Sequence, residues 1–112
     1  MNPKELNEYM ATEVMGWRSS GGHYHFVSGS KDGKSHETGM SPYLNWNPTK
    51  DIAQALMCAE EVFTQYGITY KKKFKSYWLD TFTGIEYKGR KVETLDDLPL
   101  AICKAIREAK GE

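Results

Sequence analysis

Three lysines at alternate positions have the spacing that an anion-binding strand would need. Lys71, Lys73 and Lys75 would project from one face of a β-strand at intervals of ~6.6 to 6.8 Å, close to the spacing of phosphates along a nucleic-acid strand. Tyr77 would continue that face and could stack on a base. The alternative is a solvated edge strand whose lysines prevent aggregation. An anionic ligand at these lysines is therefore a hypothesis that stands beside the plainer interpretation.

Tryptophans beside predicted loops are candidates for an exposed stacking platform. Trp17 follows a glycine and Trp46 precedes an Asn-Pro pair, so both lie next to predicted loops. Arg18, beside Trp17, could offer a planar donor to a phosphate or carboxylate. The competing interpretation is a core role, since aromatic residues pack inside a domain more often than they line a pocket. The predicted ligand-binding residues are Trp17, Arg18, Trp46, Lys71, Lys73, Lys75 and Tyr77.

The three histidines of the sequence are candidate metal ligands. His23 and His25 would project together from a strand, and His36 could approach from the segment that follows. Neutral imidazoles of this kind ligate zinc or nickel. Because only the pair has a suitable spacing, we interpret all three as surface or hydrogen-bonding residues. We predict no metal site and no cofactor.

Motifs for nucleophilic catalysis or a phosphate loop are weak. Gly33-Lys34-Ser35 matches the end of a Walker loop, but its first glycine would fall at Ser28 and no helical pattern follows. A tight turn at Asp32-Gly33 between two strands is the better interpretation. Cys58 and Cys103 each lie in an apolar helical stripe without an evident basic activator. We therefore predict buried thiols and no enzymatic activity.

Three amphipathic segments predict the helices that would position these residues. The first runs from Pro3 to Met15 and stops at Gly16, and the second is capped by Asn47 or Thr49 and ends at Gly67. The apolar stripes are Leu6, Tyr9, Met10 and Val14; Ile52, Ala55, Leu56, Ala59, Val62, Phe63 and Tyr66; and Leu98, Ile102, Ala105, Ile106 and Ala109. Their spacing of three and four residues is typical of helices with one buried face.

The segments of the chain between the predicted helices have patterns typical of strands in antiparallel hairpins. We expect a strand from His23 to Val27, a loop or hairpin tip from Ser28 to Pro42, a short strand from Tyr43 to Trp46, and turns at Thr83-Gly84 and Lys88-Gly89. From Ile68 onwards the residues alternate as in a β-strand. This alternation predicts one side of the strand with Ile68, Tyr70, Phe74 and Trp78, and the other side with Thr69, Lys71, Lys73 and Lys75. Burying the apolar faces together predicts an α+β fold. It is a small antiparallel β-sheet packed with three α-helices as a helix-sheet-helix sandwich, in one domain over residues 1–112.

The charge balance excludes a polycationic binder. Fifteen Lys and Arg residues balance fifteen Asp and Glu residues, so the formal net charge is zero. The segment from Ile68 to Lys91 nevertheless has seven basic residues against two acids, a local charge of +5. No stretch approaches the ~18 to 20 apolar residues of a membrane span, and the start of the chain has no apolar leader. We therefore expect a cytoplasmic protein with no membrane partner.

Three segments in this order resemble one family. They are Val14-Met15-Gly16-Trp17, then Asn47-Pro48-Thr49-Lys50-Asp51-Ile52-Ala53-Gln54-Ala55, then Leu98-Pro99-Leu100-Ala101-Ile102-Cys103-Lys104-Ala105. In order and spacing they resemble the phage ABA sandwich domain over nearly the whole chain. The resemblance implies a helix-sheet-helix sandwich in a phage or prophage protein, and it carries no catalytic residue to transfer. The Gly/Ser-rich segment from Ser19 to Pro42 and the lysine-rich strand depart from the family pattern.

These observations lead to one leading functional hypothesis and two others. We expect a small phage-encoded, non-catalytic binding protein that captures an anionic, nucleotide-like ligand in the host cytoplasm, in anti-defence or host takeover. The second hypothesis is a protein-protein interaction module, or a homo-oligomeric structural module, with no small-molecule ligand. The third and weakest is an enzyme that uses the histidines.

Overall fold

The computed structural model describes the backbone of residues 1–20, 23–29, 35–40 and 46–111, and the side chains of residues 1–17 and 46–111. Its helices and strands are α1 (Pro3–Tyr9), β1 (Arg18–Ser20), β2 (His23–Gly29), β3 (Ser35–Met40), α2 (Ile52–Val62), β4 (Gln65–Lys71), β5 (Ser76–Phe82), β6 (Tyr87–Val92) and α3 (Leu98–Ala109). The strands form two antiparallel sheets, β1–β2–β3 and β4–β5–β6. The predicted α+β class with three helices and an antiparallel sheet is confirmed.

The first helix begins at Pro3, as the sequence predicts, and its helical conformation ends at Val14, one residue before the predicted end at Met15. The Asn2 side chain accepts a hydrogen bond from the Glu5 amide at 2.8 Å, and Pro3 occupies the first turn, where its missing N–H is not needed. Beyond Tyr9 the helix widens into a π-helical turn over Met10–Val14, which the sequence did not predict. The chain then leaves through Gly16 at φ +74°, a left-handed conformation that glycine adopts without steric cost.

The second helix is shorter than predicted at both ends. Its cap is Asp51, whose carboxylate accepts from the Gln54 amide at 3.1 Å, so the prediction of a cap at Asn47 or Thr49 is wrong. The helix ends at Val62 rather than Gly67. Sheet pairing explains this early end, since the Thr64 amide donates to the Phe82 carbonyl at 2.8 Å and β4 starts at Gln65. Tertiary hydrogen bonding here overrides helical spacing.

A polar network ties the start of α2 to α1. Asn7 donates from Nδ2 to Oδ1 of Asn47 at 2.9 Å, and its own Oδ1 accepts from the Thr49 amide at 3.0 Å. The Asn47 amide donates to the Gln54 side chain at 2.6 Å. The Asn-Pro-Thr segment is thus a turn that locks two helices together, which is why it does not start the helix itself.

The core lies between the helices and one face of the β4–β6 sheet. Helix α3 packs against both α2 and β5. Ile102 and Ile106 of α3 are fully buried, and Leu79 and Val92 come from the sheet. The predicted stripe of α3 is confirmed from Leu98 to Ile106. These contacts support the helix-against-sheet packing that the amphipathic patterns predict.

The second sheet replaces part of a predicted loop. The strand predicted from His23 to Val27 is confirmed as β2, but Ser35–Met40 form β3, so the loop prediction over Ser28 to Pro42 is wrong there. Pairing with β2 supplies the hydrogen bonds that override the weak strand preference of this Ser/Gly-rich segment. The predicted Asp32-Gly33 turn and residues 43–45 of the predicted short strand lie outside the described residues, and Trp46 is not in a strand.

The β5–β6 hairpin turns where predicted, at Thr83-Gly84, with Gly84 at φ +93° and the Thr83 amide donating to the Glu86 carbonyl. The turn predicted at Lys88-Gly89 is wrong, because both residues pair within β6. Among the described residues, no helix is long and apolar enough to cross a membrane.

Candidate functional site

The three alternate lysines do not share a strand face. Lys71 is the last residue of β4, Lys73 lies in a single 3₁₀ turn over Lys72–Phe74, and Lys75 has a left-handed backbone at φ +47°. This turn joins β4 to β5 and breaks the alternation on which the prediction depended. The predicted row of three lysines is therefore wrong, although all three side chains are exposed around one hairpin tip.

Tyr77 lies on the opposite side of the sheet from Lys71. Lys71 pairs with Ser76, and Tyr77 pairs with Tyr70 on the other face, their rings 4.9 Å apart. The predicted continuation of the lysine face to Tyr77 is wrong for the same reason as the lysine row. The extra residues of the turn shift the parity of every following side chain.

Trp17 and Trp46 come together, but inside the protein. They are 7% and 8% exposed, and their rings meet edge to face with centroids 4.7 Å apart. Trp46 Nε1 also donates to the Asn7 carbonyl at 2.8 Å. The predicted exposed platform is thus wrong, and the pair is part of the core. Arg18 starts β1, and its side chain lies outside the described residues.

The histidines are described only by their backbone positions. His23 and His25 lie in β2, and His36 in β3 pairs with Ser28. Their side chains lie outside the described residues, so the metal alternative stays a prediction that nothing tests. In the part of the chain that is described, no group of three His, Cys, Asp or Glu residues could hold a metal ion.

The two cysteines are buried where the helical stripes predicted them. Cys58 of α2 and Cys103 of α3 are both 0% exposed and both free. Burial, aided by the nearby charge of Glu61, raises the pKa of the Cys58 thiol to about 12. Burial also raises the pKa of Cys103. Because the thiolate is the reactive form, neither group is a nucleophile near neutral pH.

This burial predicts a clear difference in thiol reactivity. At pH 8 we expect Ellman's reagent to modify neither Cys58 nor Cys103 in the native protein, and both in urea. Above the ordinary thiol pKa near 9, the unfolded chain releases these protons first, so stability should fall as the pH rises from 9 towards 12. Rapid labelling of the native protein at pH 8 would contradict the buried position.

The face of the β4–β6 sheet that points away from the helices is the candidate site. We call it the open face. Because Leu79 and Thr81 of β5 are buried on the helix side, the alternate residues lie on the other face, where Trp78, Asp80 and Phe82 are half-buried and Ser76 is fully buried. The open face presents Gln65, Gly67, Thr69 and Lys71 from β4, Trp78, Asp80 and Phe82 from β5, and Tyr87, Gly89 and Lys91 from β6.

Two lysines flank one tryptophan on the open face. Lys71 Nζ lies 4.8 Å from the centre of the Trp78 ring, a cation-π contact, and Lys91 pairs with Trp78 across the β5–β6 ladder. Lys91 also lies 3.6 Å from Glu93, but this ion pair is exposed and contributes little. The sequence placed Trp78 on the side of Ile68, which is wrong because of the intervening turn.

At the other end of the open face, Asp80 lies among aromatic side chains. The Tyr87 hydroxyl donates to Asp80 Oδ1 at 2.8 Å, and this bond raises the pKa of Tyr87. A cleft of about 440 Å³ adjoins the pair, lined by Gln65, Tyr66, Gly67, Asp80, Thr81, Phe82 and Tyr87. Spacing along the sequence does not indicate a site at these residues, because only cross-strand register brings them together.

A second group of charges lies on the helix side of the sheet. Glu108 of α3 accepts hydrogen bonds from Lys88 and Arg90 of β6, beside a cleft of about 190 Å³. These bonds lower the pKa of the Glu108 carboxyl. The two cations are thereby matched to a carboxylate of the same chain. Lys71 has no such carboxylate partner among the described residues.

Comparison with known proteins finds one family and a similar solved structure. Residues 8–106 match the family model of the phage ABA sandwich domain. The chain also resembles a phage protein from Bacillus cereus ATCC 14579 with a 2.0 Å crystal structure. The TM-score is 0.61 at 21% identity, and the match covers 100% of this chain and 90% of that chain. No curated protein matches the chain significantly. The structural likeness is one of fold.

Proposed function

Because this chain belongs to the phage ABA sandwich domain family, we propose that it is a non-catalytic phage protein that binds single-stranded nucleic acid on its open face. The observation that carries this proposal is Trp78, with Lys71 over its ring and Lys91 paired beside it. Aromatic side chains stack on bases, and lysines attract the phosphates between them. An anionic nucleotide-like ligand is thus retained from the sequence hypothesis, with Lys71 kept from the predicted residues and Trp78 and Lys91 in place of the others.

An open sheet suits an extended strand better than a single small molecule. Phe82 and Tyr87 lie at one end of the open face, and Trp78 lies four residues away from Phe82 along β5. That separation is about 13 Å, at about 3.3 Å per residue. It is room for two or three stacked nucleotides, while the exposed Lys71–Lys75 tip adds positive charge at the Trp78 end. Stacking of this kind is tolerant of sequence, with affinity that falls as salt rises.

Capture without turnover is the mode of action that we propose. The described thiols are buried, and the open face offers rings, cations and one carboxylate already bonded to Tyr87. Stoichiometric binding needs no more than these groups. We further propose that capture takes place in the host cytoplasm during infection, where holding a nucleic acid or nucleotide signal would oppose a host defence or assist takeover.

A direct titration tests the proposal. A fluorescein-labelled uridine decamer should bind the wild-type protein at low salt, with increasing anisotropy, and Trp78→Ala should weaken this binding about tenfold, as expected for one lost base stack. Tyr70→Ala is the matched control, because Tyr70 is an exposed aromatic residue on the other side of the sheet. No binding by the wild type, or equal losses in both variants, would refute a site on the open face.

An apolar patch on the helix side favours a second function. Ile68 and Tyr70 lie on the helix side of β4 and are 41% and 51% exposed, and Phe74 in the adjoining turn is 64% exposed. Contiguous exposed apolar residues of this kind suit a protein interface. A host protein or a second copy of the chain is then the partner. This alternative predicts that the decamer does not bind.

A further inference from the structure

A row of small residues crosses the open face at one level of the sheet. Gly67 of β4, Asp80 of β5 and Gly89 of β6 are paired side by side, so a carboxylate stands in the middle strand with a glycine on each side. We call this row the Asp80 groove. It crosses the sheet over about 10 Å, two strand spacings of about 4.8 Å. A large side chain at either flanking position of this row would close it, and both positions are glycine.

The two glycines leave the carboxylate accessible in different ways. A Cβ added at Gly89 would lie 3.1 Å from Asp80 Oδ1, so a side chain there would press on the carboxylate. A Cβ added at Gly67 would meet nothing within 4 Å, which shows open space beside Asp80. Glycine weakens a strand interior and often marks close approach by a ligand or another chain.

Both carboxylate oxygens can still accept a hydrogen bond, because Oδ1 uses only one of its two lone pairs and Oδ2 uses none within the described residues. Tyr87 donates to Oδ1 at 2.8 Å, which orients the carboxylate, while Oδ2 accepts no hydrogen bond from the described residues. Phe82 and Tyr87 flank the groove on one side, and Tyr87 is 66% exposed. The adjoining cleft of about 440 Å³ falls within the ~300 to 1,000 Å³ typical of ligand sites.

We propose that the Asp80 groove is a base-recognition site for guanine, which deepens the proposed binding of single-stranded nucleic acid and rests on it. Guanine carries two adjacent donors, N1–H and the N2 amino group, that match the two oxygens of one carboxylate. Uracil, cytosine and adenine each present an acceptor in one of these positions, which a carboxylate repels. The guanine ring would stack against Tyr87 or Phe82, as bases do on aromatic side chains of open sheets.

The groove and the lysines divide recognition between them. Asp80 lies two residues from Trp78 along β5, on the same face, so a base in the Asp80 groove and a base on Trp78 belong to neighbouring nucleotides. Lys71 and Lys91 then lie on the Trp78 side, where they attract phosphates without regard to sequence. Because its carboxylate is negative and repels phosphates, Asp80 determines which base is bound and does not raise the affinity for every sequence.

Two pentamers separate this inference from the proposed function. Fluorescein-labelled UUGUU should bind the wild-type protein about tenfold more tightly than UUUUU at the same salt, the usual discrimination of a good two-bond contact to a base. If neither pentamer binds, the proposed function fails and the inference with it. If both bind equally, the proposed function stands and the guanine site is wrong.

Two variants test the groove itself. Asp80→Asn should reduce UUGUU to the affinity of UUUUU, because an amide offers an acceptor on one side only. Gly67→Ala should also reduce the preference by filling the groove, and it should fold normally because its Cβ has space. Asp96→Asn makes the same charge change on an exposed residue off the open face and should keep the preference. A preference for UUGUU that survives Asp80→Asn would overturn the assignment. Displacement of UUGUU by an equal concentration of free arginine would also overturn it, because the carboxylate would then bind a guanidinium group as well as it binds a base.

Discussion

Replacing Trp46 by alanine should lower the free energy of unfolding by about 3 to 5 kcal/mol, the usual cost of removing a large buried aromatic side chain. The ring is 8% exposed and packs edge to face on Trp17 with centroids 4.7 Å apart. Its Nε1 donates to the Asn7 carbonyl at 2.8 Å, so the variant loses a hydrogen bond between α1 and the turn before α2 as well as the packing. Urea denaturation followed by circular dichroism measures the difference.

Trp46→Phe is the matched control for this loss. Phenylalanine keeps much of the contact with Trp17 and removes the N–H donor, so we expect about half the destabilisation of the alanine variant. Oligonucleotide binding under folding conditions should be unchanged in the phenylalanine variant, because neither ring lies on the open face. A variant that retained full stability and lost binding would instead restore the exposed platform that the sequence predicted.

Helical segments were predicted well because their signals are local. The stripe from Leu98 to Ile106 depends on spacing within one turn or two, and the structure buries it as expected. The Asn2-Pro3 start and the Gly16 stop of the first helix are local too. The end of α2 was predicted wrongly because Thr64 and Gln65 pair with Phe82, a partner that helical spacing does not reveal.

The predicted and the observed candidate sites differ because the turn between β4 and β5 contains no glycine, proline or asparagine. Lys72–Phe74 form a single 3₁₀ turn, and Lys75 adopts a left-handed backbone without glycine or asparagine. Reading through this segment as one strand placed Lys73 and Tyr77 beside Lys71. The same error put Trp78 on the side of Ile68, opposite Lys71, so Trp78 was not predicted as a binding residue. The local charge of +5 was sound evidence from the sequence, whereas the face that carries it depended on this turn.

The tryptophan pair shows a different limit. Trp17 and Trp46 each stand beside residues typical of loops, and that neighbourhood suggested exposure. Their burial depends on contact between positions 29 residues apart, together with a hydrogen bond to α1. Sequence spacing carries no information about such contacts. Arg18 illustrates the converse, because its backbone pairing with His25 is established while its predicted role is still a prediction.

Reversing both flanking lysines should weaken oligonucleotide binding on the order of 10- to 100-fold at low salt. In the double variant Lys71→Glu, Lys91→Glu, two attractive contacts beside Trp78 become repulsive. Lys71 Nζ now lies 4.8 Å from the Trp78 ring centre, and a stacked base would release it towards a phosphate. Titrating the labelled uridine decamer at several salt concentrations measures both the affinity and its salt dependence.

The dependence of the binding constant on salt concentration distinguishes the loss of two phosphate contacts from a general loss of positive charge. For single strands, each phosphate contact contributes about 0.7 to the slope of log K against log salt, so losing two contacts should reduce its magnitude by about 1.4. Lys50→Glu with Lys110→Glu changes the net charge equally, at exposed residues outside the β4–β6 sheet, and should leave the slope near that of the wild type. Equal changes in slope for the two double variants would mean that the open face has no special part in binding, since only the total charge would then matter.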